Sequence, residues 1–198
     1  KPSYEVDAEI LTAAINARIY LGVKDFKIDI GNVGFVKAVL DNLKLDDKDK
    51  AIIKEAIALK DRTTLETILD KLGNKLTNKH KKAINIIPSL FGRGKEVIEL
   101  ALSNIINNKQ AKMVAEDLLK LLNTLETRGL KKFITLDLSE VRGFDYYTGI
   151  IFEGFANGVG KAIMTGGRYD NLMQRYGYPC AAVGFAFDVE NVVTVMEG

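Results

Sequence analysis

With 198 residues, 47% hydrophobic and 27% charged, the chain has room for one domain, or for one domain with a sizeable insertion. One cysteine excludes a disulfide scaffold, and no apolar run reaches the roughly 18–20 residues of a membrane span. A net charge of +2 is too balanced for a dedicated nucleic-acid binder, and acids where a secretory signal would have its apolar core point to a cytoplasmic protein.

The chain opens without methionine and straight into helix, which reads as a piece of something longer. The spacing predicts a helix from Tyr4 to Leu21. Ser3 caps it, acids fill its first turn, Gly22 closes it, and Val6, Ile10, Ala13, Ala14 and Ala17 form its apolar stripe. Strict alternation in Phe26-Lys27-Ile28-Asp29-Ile30 predicts a half-buried strand. The turn Gly31-Asn32-Val33-Gly34 then opens a short helix ending at Leu43. Residues 1–45 read as the first part of a core.

From 46 to 128 helical periods take over, strand patterns vanish and Phe91 is the sole aromatic. Asp46 or Asp47 caps a first helix, and Thr63 to Glu66 has capping-box spacing for a second. A third runs from Thr77 to Ile87, and a fourth carries Val97, Ile98, Ala101, Leu102 and Ile105. The fifth carries Ala111, Val114, Leu118, Leu121, Leu122 and Leu125 on one face. This stretch reads as an all-helical insertion with a small core of its own and no catalytic residues.

Residues 129–198 return to strands at Phe133–Leu138, Tyr146–Phe155 and Ala181–Phe187, with a final helix from Asp188 to Met196. Strands close in sequence without crossover helices predict an antiparallel sheet with flanking helices, an α+β architecture.

Metal chemistry has little support, since His80 and Cys180 are far apart and make no ligand set. His80 reads as an exposed histidine on a solvated helix, and Cys180 as a small buried hydrophobe. The run Lys71, Lys75, Lys79, Lys81, Lys82 reads as a solvated face, because acids dilute it and no aromatics interleave. No cofactor is expected.

Two segments are dense in chemistry. Arg142-Gly143-Phe144-Asp145-Tyr146-Tyr147-Thr148-Gly149 brings together a guanidinium fork, a carboxylate and two tyrosines, with glycines leaving room for something to approach. Strand alternation would put Phe144, Tyr146 and Thr148 on one face, Asp145 and Tyr147 on the other. Gly166-Gly167-Arg168-Tyr169-Asp170-Asn171-Leu172 reads as a sharp glycine corner that aims Tyr169. A hairpin with core-edge tyrosines, and an ordinary turn, account for these patterns equally well. Sharing one small-ligand pocket is what favours function.

Arg142 to Gly149 followed by Ile151-Phe152-Glu153 resembles the first histidine-specific motif of histidyl-tRNA synthetase catalytic domains. Gly166 to Leu172 resembles the second, and Val183 to Asn191 the third general motif of class II synthetases. Glu5 to Glu9 is similar to the start of the helix after the second class II motif. The resemblance covers the whole chain and implies a class II aminoacyl-tRNA synthetase-like fold. It also implies a histidine-binding set of Arg142, Tyr146, Tyr147, Gly166, Gly167 and Tyr169.

One departure matters. Synthetases end the third motif glycine–variable–glutamate–arginine, and that arginine clasps ATP phosphate. Here the sequence is Asp188-Val189-Glu190-Asn191, a degenerate ATP motif. Losing a charge-assisted contact to developing phosphoryl charge costs several kcal/mol of transition-state stabilisation, so adenylation is expected to be disabled.

Ile30 to Phe35 also resembles the Ile-Gly-His-Val-Gly-Phe stretch of the synthetase's non-aminoacylating paralogue, with Asn32 in place of histidine. That paralogue is the regulatory subunit of ATP phosphoribosyltransferase, which serves the first step of histidine biosynthesis. The resemblance implies assembly with the short-form ATP phosphoribosyltransferase catalytic subunit, free histidine as effector, and self-association through upstream sequence. It implies no membrane or tRNA partner. The alternatives are a catalytic-domain fragment of an active histidyl-tRNA synthetase and a free-standing small-ligand module.

Overall fold

The computed structural model describes residues 3–105, 108–143 and 146–197. Helix α1 spans Tyr4–Tyr20, with the Ser3 hydroxyl accepting from the Val6 amide and Gly22 following in the left-handed region. Its buried face is Ala8, Leu11, Ala14 and Ile15; of the predicted stripe only Ala14 is buried, and Val6 is exposed. Alanines on two sides made both stripes plausible, and Leu11 and Ile15 decide which one packs.

Strand β1 (Phe26–Asn32) buries Phe26, Ile28 and Ile30 as alternation requires. It runs directly into α2 (Val33–Asp41), capped by Asn32, whose side chain accepts from the Gly34 amide at 2.9 Å. Asparagine therefore has a local function at the position where it departs from the paralogue.

The next segment supplies α3 (Asp47–Ala58), α4 (Arg62–Lys71), α5 (Asn78–Asn85), α6 (Glu96–Asn104) and α7 (Lys109–Thr127). Asp46 caps α3. Asp61, rather than a box at Thr63, caps α4, accepting from the Thr64 amide at 3.0 Å. Both threonines lie inside the helix, because aspartate two residues earlier meets the free amides first. Pro88 shortens α5, and its chain continues as a 3-10 turn at Ile87–Ser89. The segment is not wholly helical: Phe91–Gly92 forms a short strand, β2, at the sheet edge.

Beyond it come β3 (Ile134–Asp137), β4 (Ile150–Ala156), β5 (Met164–Arg168), β6 (Val183–Phe187) and α8 (Val189–Glu197). The sheet order is β2-β3-β1-β4-β5-β6. Every pairing is antiparallel except β1–β3, which is parallel, with the long helical segment as its crossover. The predicted strand at Tyr146 begins only at Ile150. Where the sequence predicts a glycine corner, Gly166 to Arg168 belong to strand β5, and neither Gly166 nor Gly167 has positive φ.

Helix α7 packs on α1 and α2, and buries Ala111, Ala115, Leu118, Leu121, Leu122 and Leu125. Buried residues of the helical segment and of one sheet face make one continuous hydrophobic cluster. The opposite sheet face, away from that cluster, carries the polar side chains of Asp29, Glu153 and Thr165.

Candidate functional site

Register aligns two rows of side chains across the open face of the sheet. One runs Thr135, Asp29, Glu153, Thr165, Ala186. The other runs Gly31, Ile151, Gly167, Gly184. Three glycines in one row leave a shelf, and the protein itself lies on it. A Cβ at Gly31 would fall 2.6 Å from Glu140 Cβ, at Gly167 2.6 Å from the Tyr147 ring, and at Gly184 2.8 Å from the Tyr169 hydroxyl.

Glycine here therefore means close approach rather than a turn. Gly149 likewise accommodates the stem of Arg168, whereas Gly143 has φ of 67° in a turn and also lies against the ring of Tyr147. At Gly166 an added Cβ would meet the Phe152 ring at 2.5 Å and the Gly184 carbonyl at 2.6 Å.

The tyrosines do come together. Tyr146 meets Tyr147 edge to face at 4.9 Å between centroids, and Tyr169 at 5.5 Å. They do so from a turn, not from alternating strand faces; Phe144 and Asp145 lie outside the described residues. Burial, then Tyr146 and Tyr169, push the Tyr147 hydroxyl up, so it stays a neutral donor.

Arg142 is held by carboxylates. Its Nε donates to both Glu140 oxygens at 3.0 Å, and its Nη1 donates to Glu153 Oε1 at 3.0 Å. Glu140, with Glu153 behind it, raises the guanidinium pKa, fixing the cation. Asp29 and Asp137 complete an acidic neighbourhood. Burial lifts the Asp29 carboxyl above the usual aspartate range, Asp137 and Glu153 add to it, and Thr135 and Lys60 oppose. Lys60 arrives from the end of α3, paired with Asp137 at 2.8 Å and 4.5 Å from the centre of the Phe91 ring.

These groups border separate spaces. A cavity of about 440 Å³ is lined by Gly34, Lys37, Tyr146, Tyr147, Thr148 and Asn171, among others. Another of about 330 Å³ lies between Lys60, Asp137, Ser139, Glu140 and Arg142. Tyr169 borders neither, and Arg142 does not border the first. Glu153 links the two groups, since it binds Arg142 and acts electrostatically on Tyr147.

In the degenerate motif, Asp188 accepts from the Asn191 amide at 3.0 Å, a helix cap for α8. Asn191 Nδ2 donates to the Ala162 carbonyl at 3.0 Å, and Glu190 is exposed.

No local pattern in the sequence assigns a site role to Asp29, Asp137, Glu140, Glu153 or Lys60. The strand alternation that buried Ile28 and Ile30 already put Asp29 on the open face. Lys60 sits far away in sequence, and no local pattern carries its position. His80 is half-buried rather than exposed, because α5 turns it toward Val39 and Leu43. Cys180 is exposed rather than buried, in the loop before β6. Lys75 and Lys81 of the lysine run pair with Asp49 and Asp70. Among the described residues no helix is long and apolar enough to cross a membrane.

The family model described as histidyl-tRNA synthetase matches residues 1–192. The chain belongs to the histidyl-tRNA synthetase family. Relatives in Geobacter sulfurreducens and Syntrophotalea carbinolica are each 38% identical, each over 98% of this chain and 44% of their own length. One in Caldanaerobacter subterraneus is 37% identical over 98% of this chain and 50% of its own length. All three are named ATP phosphoribosyltransferase regulatory subunit, and this chain spans about half the length of these relatives.

Among solved structures, the whole chain superposes on 51% of a Bacillus halodurans protein described as an ATP phosphoribosyltransferase regulatory subunit/histidyl-tRNA synthetase. The TM-score is 0.89 at 28% identity. It also superposes on 61% of a histidine–tRNA ligase subunit from Alicyclobacillus acidocaldarius, with TM-score 0.78 and 26% identity. The fold is accordingly that of the class II synthetases of this family: α+β, with its sheet mixed at one pair.

Proposed function

We propose that the protein carrying this chain is a regulatory subunit of ATP phosphoribosyltransferase that performs no chemistry itself. It assembles with the short-form catalytic subunit for the first step of histidine biosynthesis, in the cytoplasm. The names of its relatives support this role. The single observation that carries the non-catalytic part is Asn191. Where a synthetase of the family has an arginine for ATP phosphate, this side chain is neutral and bonded to the Ala162 carbonyl. Asp188 adds a negative charge beside it.

Histidine, on this reading, is an effector taken up on the open sheet face by Arg142, Tyr146, Tyr147 and Tyr169, with Gly167 making room for the Tyr147 ring, while Gly166 acts from the core side, where it admits Phe152. A zwitterion suits a face where a guanidinium stands among carboxylates: its carboxylate competes for Arg142, and its ammonium replaces the arginine at Glu140 or Glu153. Residues 46–128 serve docking or stability, and self-association runs through sequence upstream of this chain.

An active synthetase is the second reading, favoured by the double description of the Bacillus halodurans protein. Phosphoribosyl transfer by a short-form catalytic subunit, with and without the full-length protein, tests the first. Stimulation is expected. A catalytic subunit indifferent to the full-length protein would contradict it.

A further inference from the structure

Helix α1 is tied to β5 through a buried charge pair. Asp7 and Arg168 are 7% and 5% exposed, and the guanidinium donates through Nε and Nη2 to Asp7 Oδ1 at 3.0 and 2.6 Å. Nη1 donates to Asp170 Oδ1 at 3.0 Å. Replacing such a cluster with apolar groups of similar volume is often neutral or stabilising, so burial alone does not explain it. A planar fork held by two carboxylates does fix direction.

The direction it fixes is that of the tyrosines. Asp170 Oδ1 also accepts from the Ala182 amide at 3.1 Å, and the Asp170 amide donates to Thr148 Oγ1 at 3.0 Å. The Thr148 amide donates to the Arg168 carbonyl at 2.7 Å, and the Tyr169 amide to the Ala182 carbonyl at 2.8 Å. Tyr169 thus stands between two residues of the cluster, and Tyr146 and Tyr147 immediately precede Thr148. Lack of a side chain at Gly149 gives the arginine stem its passage. Both tyrosine-bearing segments and the approach to β6 are tied to one guanidinium, and α1 holds its other end.

We infer that Asp7 is a positioning residue: through Arg168 it fixes the Tyr146–Tyr147–Tyr169 cluster on the open sheet face. Its functional readout rests on the proposed histidine pocket, but its structural readout does not. Hydrogen exchange on the full-length protein follows the amides of Thr148, Tyr169, Asp170 and Ala182. Asp7→Asn keeps the shape and removes the charge; exchange at these four amides should rise about tenfold or more relative to the amides of β1. Leu65→Ala, a cavity in the helical segment, should lower the melting temperature without that local signature. Where wild type binds histidine, Asp7→Asn should bind it about tenfold more weakly.

Unchanged protection at the four amides would overturn the inference. Wild-type protein that ignores histidine would overturn the pocket reading instead, and the exchange data would still decide the role of Asp7. If Asp7→Asn does not accumulate folded, Asp7→Glu, which keeps the charge on a longer arm, is read at the same amides. A change confined to them supports the assignment, and uniform loss across the helices refutes it.

Discussion

The hydroxyl of Tyr169 occupies the space over Gly184 that any side chain there would need: a Cβ at 184 would lie 2.8 Å from that oxygen. Gly184 faces Gly167 across β5–β6, and Tyr147 fills the corresponding space over Gly167. Two of the three clustered tyrosines are therefore seated by glycines on neighbouring strands.

Gly184→Ala should displace the Tyr169 tip and little else, since what it meets is the far end of a side chain. We expect a stability loss of about 1 kcal/mol or less. Histidine affinity of the full-length protein should fall about tenfold, roughly 1.4 kcal/mol. Denaturant titration and calorimetry read the two effects separately, and affinity equal to wild type would remove Tyr169 from the pocket.

Gly167→Ala should behave differently. Its Cβ would meet the Tyr147 ring at 2.6 Å and the Ile150 carbonyl at 2.7 Å, and backbone does not step aside. A loss of about 1–3 kcal/mol is expected, with the Tyr147 ring displaced in a structure of the variant. Wild-type stability would show that β4 and β5 sit farther apart than described.

Lys60 has φ of 52°, the one non-glycine residue with positive φ among the described residues. Its amide donates to the Ile57 carbonyl and that of Asp61 to the Ala56 carbonyl, the helix-ending pattern that favours glycine. Its half-exposed pair with Asp137 contributes about 0–1 kcal/mol. Lys60→Gly should leave stability nearly unchanged, strain relief offsetting the lost pair. Lys60→Ala, which keeps the strain, should be about 1 kcal/mol less stable than Lys60→Gly. Equal stabilities would mean the backbone at 60 is unstrained.

Asp29 gives a pH signature. Its folded-state pKa is raised, chiefly by burial, so the folded protein holds that proton more tightly than the unfolded chain. The resulting stability is fully present below the unfolded value of about 3.9 and is lost as pH rises through the folded value. Asp29→Asn escapes this loss. Its stability relative to wild type should therefore improve from about pH 4 upward and then level off. Urea titrations across that range check the trend, and a variant-minus-wild-type stability that instead falls toward neutral pH would contradict it.

Much of the fold was legible because local signals agreed with tertiary packing. The Ser3 and Asp46 caps and the alternation of β1 are patterns over a few residues, and so is the stripe of α7. The parallel β1–β3 pair was not legible, since its two strands are separated by the whole helical segment. At Gly166 and Gly167 the glycine signal was real but misread. Gly166 and Gly167 are small because Phe152 and Tyr147 press against them, and contacts between strands leave no local trace. Tyr147 and Tyr169 stood out as residue types, whereas the pairing of Arg142 with Glu140 and Glu153 needed three-dimensional proximity.

The most direct test of the account is histidine-dependent ATP–pyrophosphate exchange by the purified full-length protein. Asn191 is neutral and bonded to the Ala162 carbonyl, with Asp188 beside it, and on the proposed function this position lacks a phosphate clasp. The account predicts no exchange above the level without histidine; sustained, histidine-dependent exchange would contradict it and identify an active synthetase.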